Sequence, residues 1–281
     1  MISHSERWRK AISEFGTALR GGAKIKIRYI DKLNIISLKF LKINNGESMI
    51  KLFVFQKPKS DKILNYSAFC AKSEAFLRFN KIEHKTINFK GNPAKFKNSK
   101  LPVIQDGNDY ICDSYFIEEY LSKKFNIKTD KNLSELDKAN GFAYTKMCEE
   151  FLYWSILHER WFIDKNWEKL KEQFFSAVPG IIRGFVTNMI RKNLKKSTVG
   201  HGIGRHSDKE IHDFGAKTIK SIATFIGDKD YLLGSEISSF DLTMHSFVSN
   251  AVYCELNPEL RAEAAKYKNL EAYSERVLAR L

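Results

Sequence analysis

The chain has 281 residues, of which 43% are hydrophobic and 28% are charged, a composition typical of folded globular proteins rather than disordered ones. This length accommodates two modest domains, since single domains hold roughly 100 to 200 residues. No apolar run approaches the roughly 20 residues that span a bilayer, which argues against a transmembrane anchor.

The net charge of +14 is spread along the chain without a dense basic block, so a solvated surface is favoured over a nucleic-acid groove. The four cysteines are widely spaced and fit neither a zinc pattern nor a CxxC pattern. We therefore predict no metal site, and a reducing, cytoplasmic environment. The cysteines are Cys70, Cys112, Cys148 and Cys254.

Residues 1–48 differ from the rest, with ten Lys or Arg against four Asp or Glu. Apolar positions spaced along one face predict an amphipathic helix between Trp8 and Leu19. Several explanations remain open for this basic extension: a hairpin or a disordered segment over residues 24–43, a membrane-surface contact, an organellar targeting peptide, which Glu6 and Glu14 disfavour, or a start codon placed upstream of the domain. The last explanation arises because Met49 begins the first clear strand pattern.

From Met49 onward the pattern predicts a βαβ unit. Residues 52–55 form a short apolar run that is typical of a buried strand. A helix is predicted to follow Ser67, with Phe69 and Phe76 on one side. The alternating run at residues 85–89 then predicts a second strand.

Two further strands and a helix complete this part of the chain. Residues 101–104 and 110–112 predict an antiparallel pair, because Asp106-Gly107 is a strong hairpin signal. Asp113 or Ser114 is expected to cap the next helix. The order βαβ-ββα predicts a thioredoxin-like domain over residues 49–127.

Residues 128–281 are helical in pattern, which gives the fold class α/β plus all-α. A long, aromatic-rich first helix is predicted around residues 144–156, and a break near Pro179-Gly180. Two capping boxes, Ser207 with Glu210 and Ser238 with Asp241, predict two later helix starts. The second box precedes an apolar run that we expect to be the buried spine of the domain.

Residues 49–125 resemble the N-terminal domain of glutathione S-transferases. The resemblance rests on Asn92-Pro93, on Lys100-Leu101-Pro102-Val103-Ile104 and on Asp113-Ser114. The run from Tyr231 to Asp241 resembles the helical C-terminal domain of the same family. Two motifs in the right order are more specific than either alone.

Within that superfamily, the chain is similar to the branch of metaxin and failed-axon-connections proteins, including bacterial members. This similarity rests on residues 67–72, 202–207 and 269–276. It covers about residues 49–281 and implies that glutathione is a substrate rather than a permanently bound cofactor.

The resemblance implies a glutathione site around Pro102. A cis peptide bond before Pro102 is expected to turn the backbone N–H and C=O of Leu101 toward the ligand, which would pair as an added strand. Ser114, at a helix N-terminus, is expected to bind the γ-glutamyl carboxylate, and Asp113 the amino group. The structural alternatives are a trans-proline on an edge strand and a simple helix cap.

Ser67 is the catalytic candidate that the resemblance implies. A hydroxyl at this helix start can donate to the glutathione thiolate and lower the pKa of the thiol. The alternative is a helix cap alone, and Ala68 stands where related proteins commonly have proline. Asn65 and Tyr66 are alternative donors, whereas Cys70 is interpreted as a core residue.

Weaker candidates surround these positions. Lys100, with Lys97, is expected to meet the glycine carboxylate of glutathione. Trp154, Arg205 and His206 are candidates for the second-substrate pocket. The glycine-rich stretch that contains the last two is interpreted as a connection between helices, since it has only two histidines and no acidic cluster for a metal.

The sequence thus predicts a protein that binds glutathione and conjugates or reduces a small hydrophobic electrophile. The alternative is a non-catalytic, metaxin-like or failed-axon-connections-like scaffold that retains the fold for partner binding. A homodimer is the usual assembly in the wider family. No nucleic-acid partner is expected, and a membrane-surface contact would involve residues 1–48.

Overall fold

The computed structural model of the protein describes residues 49–281. The predicted basic extension, with its amphipathic helix and its proposed membrane contact, lies outside the described residues.

The first part of the described chain is built on a four-stranded mixed sheet with the order β2-β1-β3-β4. Central β1 pairs in parallel with β2 and antiparallel with β3, and β3 pairs antiparallel with β4. Phe53 lies opposite Val103, which lies opposite Cys112, so one row of residues fixes the register across three strands. The strands are β1 Ile50–Val54, β2 His84–Asn88, β3 Val103–Asp106 and β4 Asp109–Cys112.

Two helices, α1 Ala68–Phe79 and α2 Ser114–Lys124, follow β1 and β4. Both contribute to the core of the sheet, as the apolar positions predicted. The β3-β4 hairpin turns at Gly107, where a φ of 59° favours glycine. This βαβ-ββα arrangement confirms the predicted thioredoxin-like fold.

The rest of the described chain is helical, which confirms the all-α prediction. A π-helical segment, Cys148–Leu152, interrupts the predicted long first helix and carries Cys148, Glu149 and Leu152 into the interior. The predicted break near Pro179-Gly180 separates α5 from α6. The helices are α3 Glu135–Met147, α4 Tyr153–Phe162, α5 Asp164–Phe175, α6 Gly180–His201, α7 Asp208–Ile226, α8 Ser239–Tyr253, α9 Pro258–Ala264 and α10 Lys268–Leu278.

Helix α8 is the buried spine that the second capping box predicted, and it packs against α1. Leu242 of α8 belongs to the core around the sheet, while Ala68 of α1 belongs to the core of the helical part. The two parts therefore share their interior along this helix pair. Among residues 49–281, no helix is both long enough and apolar enough to cross a bilayer.

Candidate functional site

Three segments with predicted site residues meet at one edge of the sheet. Ser67 comes after the carboxyl end of β1, and Ser114 comes after the carboxyl end of β4. Pro102 comes directly before β3, which runs in the opposite direction to both. The strand directions and the shared register row place all three segments at the same end of the sheet.

Ser67 caps α1, as predicted, and its hydroxyl keeps a free hydrogen-bonding capacity. Oγ accepts the N–H of Cys70 at 3.4 Å, while the Ser67 N–H donates to Oδ1 of Asn65 at 3.0 Å. A hydroxyl that accepts one hydrogen bond retains its own hydrogen as a donor. The residue is half-buried, so that hydrogen is within reach of a ligand at the helix N-terminus.

The two alternative donors are engaged elsewhere. The Asn65 amide is fully buried and donates to the carbonyl of Phe55 at 2.8 Å. The Tyr66 hydroxyl donates to Glu255 at 2.7 Å and contacts Gln173. Burial and the neighbouring Glu255 carboxylate raise the pKa of Tyr66. Both side chains therefore support the loop that carries Ser67.

Buried Arg160 fixes this loop from the helical part, a contact that the sequence did not reveal. Its guanidinium donates to the carbonyl of Tyr66 at 2.7 Å and to the side-chain oxygens of Asn250 and Asn257 at 2.6 to 2.9 Å. Asn250 in turn donates to the carbonyl of Asn65 at 3.1 Å. The position of Ser67 thus depends on contacts between residues that are 94 and 185 positions apart in the sequence.

Cys70 is fully buried in the core, and burial raises the pKa of its thiol to about 12. A thiol with such a pKa has almost no thiolate at neutral pH. This agrees with its interpretation as a core residue. All four cysteines of the chain are free thiols.

The peptide bond between Leu101 and Pro102 is cis, as the resemblance implied. The Leu101 side chain is 6% exposed and belongs to the core of the sheet. Among residues 49–281, neither the N–H nor the C=O of Leu101 has a hydrogen-bond partner. Backbone groups without a protein partner are suited to pairing with an extended peptide.

The start of α2 resolves the choice between the two predicted caps. Asp113 is the cap, and its Oδ1 accepts the N–H of Tyr115 at 2.9 Å. Its φ of 82° is a conformation that non-glycine residues rarely adopt and that is often found at functional sites. Ser114 is the first helical residue and is 4% exposed, and among the described residues its hydroxyl has no partner.

The weaker candidates are less clearly assembled. Lys97 and Lys100 are exposed, and neither forms an ion pair within the described part of the chain. The Trp154 ring lies 4.5 Å from the His201 ring, whereas His206 packs edge-on against Phe214 at 5.1 Å.

Within residues 49–281, the rings of Trp154 and His206 are not in contact. Arg205, next to His206 in the sequence, is exposed.

Half-buried Phe69 and Tyr153 lie nearer to the start of α1. Their ring centroids are 5.0 Å apart, and Phe69 is only two residues from Ser67. They form an apolar wall that the sequence reasoning did not single out.

A buried ionic cluster links α1, α2 and the π-helical segment. Lys72 is 4% exposed, and its Nζ lies 2.9 Å from Glu149 and 3.6 Å from Glu118. Burial raises the pKa of Glu118 to about 7. Burial also acts to raise the pKa of Glu149, but the charges and hydrogen bonds of Lys72 and Lys146 outweigh it, so the pKa of Glu149 is lowered. A lysine on the otherwise apolar face of α1 was the available sequence signal.

A shallow groove of about 430 Å³ lies between α2 and the connection to α3, and none of the predicted site residues line it. Its walls include Tyr115, Ser122, Asp130 and Ser239. Within residues 49–281, no group of three His, Cys, Asp or Glu side chains is arranged to hold a metal ion. The convergent polar groups are those at the edge of the sheet.

A thioredoxin-like part followed by a helical part, with a cis-proline at the end of the sheet where the candidate site lies, defines a glutathione-transferase-like protein. Residues 68–167 match the model of the glutathione S-transferase N-terminal domain, and residues 215–277 match that of the C-terminal domain. The glutathione S-transferase of Methylobacterium radiotolerans, solved with glutathione sulfonate, has the same fold. Its TM-score is 0.56 at 13% identity, over 83% of this chain and 92% of that one.

The isoprene-epoxide–glutathione S-transferase of Rhodococcus sp. (strain AD45) is 31% identical over 67% of this chain and 77% of its own length. The chain therefore belongs to the glutathione S-transferase superfamily. Failed axon connections of Drosophila melanogaster is 26% identical over 72% of this chain, which spans half of that protein's length. The predicted resemblance to the metaxin and failed-axon-connections branch is confirmed.

Proposed function

We propose that the protein binds glutathione at this end of the sheet and joins it, through its sulfur, to a small electrophile. The observation that carries the proposal is the set of unused polar groups on three converging segments. These groups are the hydroxyls of Ser67 and Ser114 and the backbone N–H and C=O of Leu101.

Each group has a defined task in the proposed complex. The Leu101 backbone pairs with the cysteinyl unit of glutathione as an added strand. Ser114 and the N-terminus of α2 bind the γ-glutamyl carboxylate, and Asp113 accepts from its amino group. Lys100 is the proposed partner of the glycine carboxylate.

Ser67 activates the substrate and is not itself the nucleophile. Its O–H donates to the glutathione sulfur, and the N-terminus of α1 favours the negative charge, so the thiol loses its proton near neutral pH. The thiol proton passes to water, and the thiolate attacks the electrophile. With an epoxide, a C–S bond forms as one C–O bond of the ring breaks, and the resulting alkoxide takes a proton from water. Phe69 and Tyr153 supply the apolar wall against which a small hydrophobic electrophile packs.

Similarity to a transferase named for isoprene epoxide makes a small epoxide the first electrophile to test. In Ser67→Ala, kcat with glutathione is expected to fall about 100-fold, the cost of removing one donor to a developing charge. The pH at which the rate reaches half its maximum should rise, because the thiolate has lost its donor. Ser60→Ala, a serine in the loop before α1, is the matched control and keeps the wild-type rate.

Calorimetric titration of glutathione tests binding separately. Ser114→Ala is expected to weaken affinity about tenfold, as for a lost hydrogen bond to a charged group. Ser122→Ala, on the same helix but away from its N-terminus, should bind as wild type. Absence of glutathione binding by the wild-type protein would refute the proposal.

The second candidate function is a non-catalytic scaffold, favoured by the similarity to Failed axon connections. Whether or not the protein is catalytic, an exposed aromatic patch on α2 and α3 offers an assembly surface, and we propose that it joins two copies of the chain. Lys146 Nζ lies 5.8 Å from the Tyr115 ring centroid and 5.6 Å from that of Phe142. Phe142→Asp should convert the dimer to a monomer in analytical ultracentrifugation.

A further inference from the structure

Helix α6 presents an apolar surface that the glutathione site does not use. Ile181 is 98% exposed and Phe185 is 75% exposed, while Met189 is 49% exposed. These residues are four apart, so they lie on one face of the helix. Exposed large apolar side chains in a row are uncommon on soluble proteins and indicate an interaction surface.

The opposite side of α6 is firmly attached to the protein. Thr187 and Thr198 are each 1% exposed. Arg191 donates to the carbonyl of Trp161 at 2.8 Å and pairs with Asp164 at 2.6 Å. The exposed face is therefore the outer side of an anchored helix.

The same outer face becomes cationic toward its C-terminal end. Lys192 and Lys196 continue the helical spacing of the apolar residues, and no carboxylate of residues 49–281 forms an ion pair with either. The 22 residues of α6 contain five Lys or Arg and no Asp or Glu. We call Ile181, Phe185, Met189, Lys192 and Lys196 together the outer stripe of α6.

The charge pattern of the outer stripe selects one kind of partner. If a second copy packed on it in parallel, lysines would face lysines; if antiparallel, lysines would be buried against apolar residues. An anionic bilayer satisfies both halves at once, since acyl chains accept the apolar residues and lipid phosphates accept the lysines.

We propose that α6 is a peripheral membrane-docking element. Ile181, Phe185 and Met189 enter the boundary of an anionic bilayer, while Lys192 and Lys196 contact lipid phosphates. The proposed glutathione site takes no part in this contact, so this inference is independent of the proposed function.

Co-sedimentation of the full chain with vesicles tests the proposal. The vesicles contain phosphatidylcholine and phosphatidylglycerol in equal parts, or phosphatidylcholine alone. Ile181→Ser/Phe185→Ser is expected to weaken binding to the mixed vesicles more than about tenfold, because two apolar anchors are lost. Lys192→Glu/Lys196→Glu should remove the preference for the anionic vesicles and most of the salt dependence.

Matched controls carry the same chemical changes elsewhere on the surface. Phe125→Ser/Leu136→Ser removes two other exposed apolar side chains, and Lys217→Glu/Lys220→Glu reverses two exposed charges on α7. Both controls should bind as wild type, and all variants are first checked for unchanged thermal unfolding.

Several outcomes would overturn the proposal. Wild-type protein that does not bind the mixed vesicles would do so, as would outer-stripe variants that bind like the wild type. Outer-stripe variants would also bind like the wild type if residues 1–48 supplied all the affinity for the vesicles. Loss of self-association in Ile181→Ser/Phe185→Ser with unchanged vesicle binding would assign the stripe to a second copy of the chain instead.

Discussion

Ser67 and Ser238 both cap helices, yet their hydroxyls are used differently. Ser238 is 1% exposed, and its hydroxyl donates to Asp241 at 2.7 Å while the same carboxylate accepts the Ser238 N–H at 2.8 Å. Ser67 is half-buried and accepts only a 3.4 Å contact from Cys70. The same local position thus yields a cap saturated by a carboxylate in α8 and a cap without a carboxylate partner in α1.

The partner of Ser238 explains why that cap is structural. The Asp241 carboxylate also accepts the N–H of Leu232 at 2.7 Å and the hydroxyl of Tyr273 at 2.8 Å. It therefore joins the loop before α8, the start of α8 and α10 in the interior. In α1 no acidic residue stands at the equivalent third helical position, which is Cys70.

The largest effect is expected for Asp241→Ala, which leaves the Leu232 N–H and the Tyr273 hydroxyl buried without a partner. The free energy of unfolding should fall by about 3–5 kcal/mol, measured by urea denaturation. Glu210→Ala removes the acidic residue of the other capping box, where the side chain is 59% exposed, and should lower the free energy of unfolding much less. Equal losses in the two variants would contradict the distinction between buried and exposed caps.

The next effect concerns pH and the spine helix α8. Burial of His245 lowers its pKa from 6.5 to about 4. Between these pH values the unfolded protein binds more protons than the folded one. The stability that neutral His245 contributes is therefore fully present above pH 6.5 and is lost as pH falls toward 4. The loss should amount to about 2–3 kcal/mol.

His245→Gln tests this, because the amide does not titrate in that range. The unfolding free energy of the variant should decline less than that of the wild type between pH 7 and about 4. Parallel pH profiles for the two proteins would show that His245 is not the responsible group.

The smallest effect on stability is expected for Ser67→Ala. A contact of 3.4 Å is long for a hydrogen bond, so its loss should cost less than about 0.5 kcal/mol. Ser238→Ala should cost about 1–2 kcal/mol in the same urea measurement. If Ser67→Ala were as unstable as Ser238→Ala, Ser67 would be a structural cap, and the two caps would not differ.

Local sequence patterns predicted most of the fold. The hairpin at Asp106-Gly107 and the helix starts at Ser67, Ser207 and Ser238 depend on neighbours within a few residues, and the structure has all four. The π-helical segment was not predicted, since its apolar spacing resembles that of a continuous α-helix.

The contacts that support the candidate site were not predictable in this way. Lys72 meets Glu149 across 77 residues of sequence, and Arg160 reaches Tyr66 across 94. No spacing pattern relates such partners, because their proximity depends on how α1 packs against the helical part. The cis bond before Pro102, by contrast, was implied by resemblance to a family rather than by residue spacing.

The sequence by itself determined the order of elements, the capped helix starts and the family, because these depend on periodicity, capping chemistry and motifs. Only the tertiary structure decided which polar groups remain without a partner and which apolar residues remain outside. Ser67 and Ser238 have the same capping role in the sequence, and Ile181 and Phe185 have the spacing of buried residues. Their surroundings differ because burial and partner geometry come from segments distant in the chain.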